Sequence, residues 1–183
     1  MTAYFPWEAG FLLWLQSVRN DFLSPLLVFI THMGDIAVFW ILLSLVLIAL
    51  PRTRRFGLTA ACALIFSALI NNVVLKPLVG RVRPYELIES LKILIRKPVD
   101  SSFPSGHTGA GIAVSWAIFR SSPKKYGIPL VILAVLISFS RLYVGVHFPT
   151  DVLAGIVTGL LSGELAFRIM PAAISRLPHW SEE

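Results

Sequence analysis

Three short patches of this chain hold residue types that can bind a phosphate and move it: Lys76-x6-Arg83-Pro84, Pro104-Ser105-Gly106-His107 and Ser140-Arg141-x5-His147-x3-Asp151. Together they offer three cations, two imidazoles and one carboxylate. A phosphate ester carries up to two negative charges that shift among its oxygens during transfer, so catalysis is largely positioning and charge stabilisation. Arg83 and Arg141 can fork onto phosphate oxygens, while Lys76 acts as a point charge. A single Lys or Arg at the end of an apolar run is ordinarily a snorkelling anchor. Three of them in company with two histidines point instead to one shared anion.

Pro104-Ser105-Gly106-His107 reads as a helix start. Free backbone N–H groups there attract anions, Ser105 can cap and offer a hydroxyl, and Gly106 allows close approach to the backbone. On its own the tetrapeptide also fits an ordinary Ser-Gly helix start carrying a surface histidine. His147 and Asp151 are one helical turn apart, with Pro149-Thr150 as the helix entry. Asp151 can take the Nδ1 proton of His147 and leave Nε2 as a nucleophile, the orienting logic of a catalytic triad. The competing reading, a metal pair, lacks an HExxH pattern, a second nearby carboxylate and a cysteine set. His107 is then the partner that protonates the leaving oxygen and activates water. His32 and His179 lack such neighbours in sequence and are read as interfacial, without a role.

The elements that must position these groups are membrane helices. Hydrophobic residues make up 56% of the 183 and charged residues 14%, against about 25% charged in soluble domains. Crossing a hydrocarbon core of about 30 Å takes roughly 20 residues. Five apolar runs approach that length: span A over 34–51, B over 56–77, C over 105–120, D over 127–145 and E over 151–170. Residues 7–19 suit an interfacial helix and 22–33 a short half-span, because joining them would bury Arg19, Asn20 and Asp21 in lipid. A sixth crossing remains the alternative. The expected fold is therefore all-α, a polytopic transmembrane bundle of five to six spans in a single domain, 1–183. The first twenty residues lack a basic leader, so no cleaved signal is expected.

Arg52, Arg54 and Arg55, then Arg120, Lys124 and Lys125, then Arg168 and Arg176 fall on one side if the five spans alternate. The positive-inside rule makes that side cytoplasmic and puts all three patches on the other face. The net charge of +6 is thus assigned to topology and phosphate rather than to nucleic acid, and no obligate protein partner is indicated. Residues 85–95 (YELIESLKILI) read as an amphipathic helix in the B–C loop, either a lid over the site or a tie between spans. Gly155, Gly159 and Gly163 form a stripe for close packing, and Glu164 pairs with Arg168. Cys62, the single cysteine, is read as core and leaves no internal disulfide.

The three patches resemble, at every signature position, the motifs of the type 2 phosphatidic acid phosphatase superfamily, over residues 76–151. The resemblance implies His147 as the phosphorylated nucleophile, Asp151 as its partner and His107 as general acid and base. It implies phosphate binding by Lys76, Arg83, Ser105, Gly106 and Arg141, with no metal or other cofactor. Small membrane members act on undecaprenyl pyrophosphate, phosphatidylglycerophosphate or phosphatidate. Arg81, Lys92, Arg96 and Lys97 near the site would suit a diphosphate, which favours the first. A non-catalytic phosphate-binding membrane protein or transporter is the alternative of a different class. A cell-membrane location follows, with the site on the non-cytoplasmic face.

Overall fold

A computed structural model describes residues 4–175. Among them every regular element is helical: α1 (Pro6–Ser17), α2 (Leu23–His32), α3 (Val38–Ala49), α4 (Arg54–Ala68), α5 (Lys76–Val79), α6 (Pro84–Leu87), α7 (Gly106–Ser121), α8 (Lys124–Tyr143) and α9 (Pro149–Ile174). Arg176 and His179 lie outside the described residues. Spans B to E appear within a few residues of their expected bounds. Three helical runs are long and apolar enough to cross a membrane: Pro51–Leu87, Lys124–Tyr143 and Pro149–Ile174. The bent pair Leu23–His32 and Asp35–Ala49, which meet at 48°, would make a fourth.

Span C, now α7, is not among those runs. It is 16 residues long and rich in Gly, Ala and Ser, and most of it is buried. It packs against α4, α8 and α9, so protein rather than lipid surrounds it. The glycine stripe of α9 permits this. A Cβ at Gly155 would stand 2.8 Å from the Ser105 carbonyl oxygen, at Gly159 2.9 Å from that of Gly109, and at Gly163 2.7 Å from that of Ala113. Such small-residue seams let two backbones approach within a membrane. The outer faces of α8 and α9 expose Ile132, Val135, Val157 and Leu161, as lipid-facing surfaces do. Glu164 takes Arg168 Nε at 2.9 Å as expected, and Arg120 joins the pair.

Two irregularities shape the site. The helix of span B does not stay α: Leu69–Leu75 form a π-helix directly before Lys76. Such bulges are rare and cluster at functional sites. Between α2 and α3, Ile36 and Ala37 hold left-handed backbone (φ 50° and 55°), which costs about 1–3 kcal/mol each in a residue with a Cβ. Span A therefore begins later than its apolar pattern suggests, after a break at 33–37.

The 85–95 helix is not there. Only Pro84–Leu87 is helical, and Ile88 is already extended. Ile88 and Leu91 turn inward onto Leu12, Leu15 and Phe148. The Gln16 amide of α1 satisfies the freed backbone, donating to the Ser90 carbonyl at 2.9 Å and accepting from Lys92 N at 2.6 Å. Burial against α1 has outcompeted the helical repeat, so the expected amphipathic helix over 85–95 does not form.

Candidate active site

The three patches meet at one end of the bundle. His147 lies in the loop between α8 and α9 and is fully enclosed. Its Nε2 is 3.4 Å from Arg83 Nη1, and its Nδ1 is 3.4 Å from Asp151 Oδ2. The second contact is longer than an ordinary hydrogen bond and leaves Nδ1 without a close partner. Guanidinium only donates, so the nitrogen facing Arg83 carries the lone pair and the proton belongs on Nδ1. Burial drives the His147 pKa down to about 3; Asp151 opposes the shift and Arg83 adds to it.

Asp151, at the start of α9, is also enclosed. Its Oδ2 accepts from Phe148 N at 2.8 Å and Ser102 Oγ at 2.5 Å, and its Oδ1 accepts from Arg81 Nη1 at 2.6 Å. Arg81 in turn donates through Nη2 to Glu8 at 2.8 Å. Glu8 is completely buried and also receives the Thr150 hydroxyl at 2.6 Å. Arg81 thus serves the carboxylates behind His147, which corrects its reading as a cation spare for substrate. Glu8 thus fixes α1, the helix read as interfacial, to the site.

Lys76 and Arg83 converge on one carboxylate, Asp100. Lys76 Nζ binds Oδ2, Arg83 Nη2 reaches Oδ1 at 2.7 Å, and Arg83 Nε donates to the Asp100 carbonyl at 2.8 Å. Burial acts to raise the Asp100 pKa, but Lys76 and Arg83 hold it down at about 2. Ser105 caps α7, and a Cβ on Gly106 would lie 3.8 Å from Lys76 Nζ. Arg141 is buried, donates to Thr31 Oγ1 at 2.6 Å, and leaves its Nε without a partner. Its charge acts on both His107 and His147. His107 Nε2 is 2.9 Å from Asp35 Oδ1, and His32 Nδ1 is 2.7 Å from Asp35 Oδ2. His32 therefore has a partner, against its sequence reading.

All eight residues singled out in the sequence gather here. Their carboxylate partners Glu8, Asp35 and Asp100, and Arg81, lie outside the motif positions, and the sequence does not assign them these places. An acid in a greasy helix (Glu8) and an acid in a basic loop (Asp100) were the available signals. A cavity of about 370 Å³ opens beside the site, lined by Lys76, Asp100, Gly106 and His107 together with the apolar Ile41 and Leu64. Buried cations, two imidazoles and an apolar vestibule suit a phosphate carried on a greasy tail.

The PAP2 superfamily model matches residues 56–175. The chain belongs to the PAP2 superfamily. It is 37% identical to undecaprenyl-diphosphatase BcrC of Bacillus subtilis (strain 168), over 83% of this chain and 77% of that protein. It is 32% identical to phosphatidylglycerophosphatase B of the same organism, over 79% and 73% of the two. The crystal structure of a transmembrane PAP2-type phosphatidylglycerolphosphate phosphatase from Bacillus subtilis matches with a TM-score of 0.73 and 27% identity, covering 93% of this chain and 87% of that one. This PAP2 protein is a membrane-integral lipid phosphate hydrolase.

Proposed function

We propose that the chain hydrolyses undecaprenyl pyrophosphate through a phosphohistidine on His147. The observation that carries the site is the convergence of Lys76 and Arg83 on one anion, the Asp100 carboxylate, beside the His147 lone pair. A substrate phosphate replaces that carboxylate, held also by Arg141, Ser105 and the backbone of Gly106 at the start of α7. His147 Nε2 attacks the terminal phosphorus, and the bond to the bridging oxygen breaks. His107 gives that oxygen a proton, and Asp151 stabilises the developing charge on His147. Water then attacks the phosphohistidine and returns a proton to His107, releasing inorganic phosphate. Residues 1–183 act as one domain, five helices cross the membrane, and the site opens on the non-cytoplasmic face of the cell membrane. The basic residues of the 52–55 and 120–125 connections, at the far end of the bundle, support that orientation.

The undecaprenyl-diphosphatase relative favours the diphosphate. Phosphatidylglycerophosphate is the second reading, favoured by the relative and the solved structure that act on it. Phosphate release by the purified protein in detergent, measured on undecaprenyl pyrophosphate, phosphatidylglycerophosphate and phosphatidate, separates them by kcat/KM. Release should persist in EDTA, stop with vanadate and fall by about 10³-fold or more in His147→Ala. Activity surviving in that variant would end the phosphohistidine reading.

A further inference from the structure

We propose that Asp35 is the positioning carboxylate of His107, held in register by His32, so that a second His–Asp pair faces His147–Asp151 across the phosphate site. The inference rests on the reading of His107 as general acid. Asp35 uses both oxygens: Oδ1 lies 2.9 Å from His107 Nε2 and Oδ2 lies 2.7 Å from His32 Nδ1. With Nε2 engaged, Nδ1 is the ring nitrogen left to carry the acid proton. The contact is close by construction, because a Cβ on Gly34, the residue before Asp35, would stand 2.6 Å from His107 Cδ2. Gly34 and His107 line the same cavity as Lys76.

A general acid must carry its proton when the leaving oxygen departs. Burial above all, and then two cations, Arg141 from α8 and Lys76 from α5, act against that proton on His107. Asp35, from the turn before α3, is the carboxylate that opposes them, and His32 at the end of α2 is the further charge on Asp35. An orienting carboxylate fixes the tautomer of an imidazole and stabilises its cation. Asp35 sits 72 positions from His107 in the chain and outside the three motifs, so spacing alone does not expose it.

The test compares two leaving groups on the full-length protein in detergent. A short-chain alkyl monophosphate releases a strongly basic alkoxide and needs its leaving oxygen protonated; p-nitrophenyl phosphate releases a weakly basic phenolate and does not. Asp35→Asn should lower kcat on the alkyl substrate by about 10- to 100-fold with KM within about twofold, and move the alkaline limb of its pH–rate profile to lower pH. On p-nitrophenyl phosphate the loss should be several-fold smaller. Asp35→Glu should recover part of the rate, and His32→Gln should show the same pattern more weakly. Equal losses on both substrates with an unmoved limb would overturn the proposal and leave Asp35 a structural residue. Should Asp35→Asn aggregate, Asp35→Glu and His32→Gln are read by the same two criteria, and wild-type profiles in both overturn it. His107→Ala separates the underlying reading: full activity on the alkyl substrate there removes the general acid itself, whatever Asp35 does.

Discussion

His147 is surrounded by protein and carries a pKa near 3, because burial disfavours its charged form. The unfolded chain binds a proton at a histidine below about pH 6.5. Between pH 6.5 and 3 the unfolded state therefore holds the extra proton, and stability rises with pH across that window. The melting temperature of the detergent-solubilised protein should fall as the pH is lowered from 7 to 4, and His147→Gln should flatten that slope. Identical slopes would mean that His147 is not buried neutral. Asp100 makes the opposite kind of contribution, since its carboxylate keeps its charge down to about pH 2 and stays on Lys76 and Arg83 at working pH. Phosphate must displace it. Asp100→Asn should lower the inhibition constant of inorganic phosphate by about 3- to 10-fold, the half-exposed position moderating the effect. An unchanged constant would place phosphate elsewhere. The phosphate-holding residues were legible because their types and spacing announce anion chemistry. Glu8, Asp35 and Asp100 were not, because a carboxylate's partner is chosen by the fold, over distances of 73, 72 and 24 residues.

Helices were legible from long apolar runs, and α4, α7, α8 and α9 begin and end close to where composition changes. Local pattern failed where tertiary contacts outweighed it. Leu87, Ile88, Leu91, Leu94 and Ile95 keep helical spacing, yet Ile88 and Leu91 find a better burial against α1 in a non-helical chain. The π-helix at Leu69–Leu75 likewise leaves no signature in residue types. The glycine stripe of α9 does pack closely, and its two ends differ in what they touch. Gly155 abuts the Ser105 carbonyl at the mouth of the site, and Gly163 abuts that of Ala113 deep in the bundle. Overpacking costs about 1–3 kcal/mol at either end, so Gly155→Ala and Gly163→Ala should lower the melting temperature alike. Only Gly155→Ala should also cut kcat, by about tenfold for a displacement of a few tenths of an ångström at the phosphate cradle. Equal kcat in the two variants would show that α7 absorbs the strain before it reaches Ser105.

Over the whole molecule, the site gathers at one end of the bundle and the basic 52–55 and 120–125 connections at the other. Cysteines placed at Lys97 and at Ser122 in a Cys62→Ser background should react with an impermeant maleimide from opposite faces of sealed vesicles; labelling from one face would refute the five-crossing arrangement. The family match begins at residue 56, yet Glu8, which holds Arg81 and through it Asp151, lies 48 residues before that point. A chimera joined at the family boundary would inherit every motif and still lose the acid that balances Arg81. Its guanidinium would then keep Asp151 but lose the buried carboxylate on its other side, and the imidazole beside Asp151 would sit in a more cationic surrounding. Engineers who recombine these enzymes should therefore treat the first helix as part of the reaction centre, to be exchanged together with the residue at position 81 or not at all.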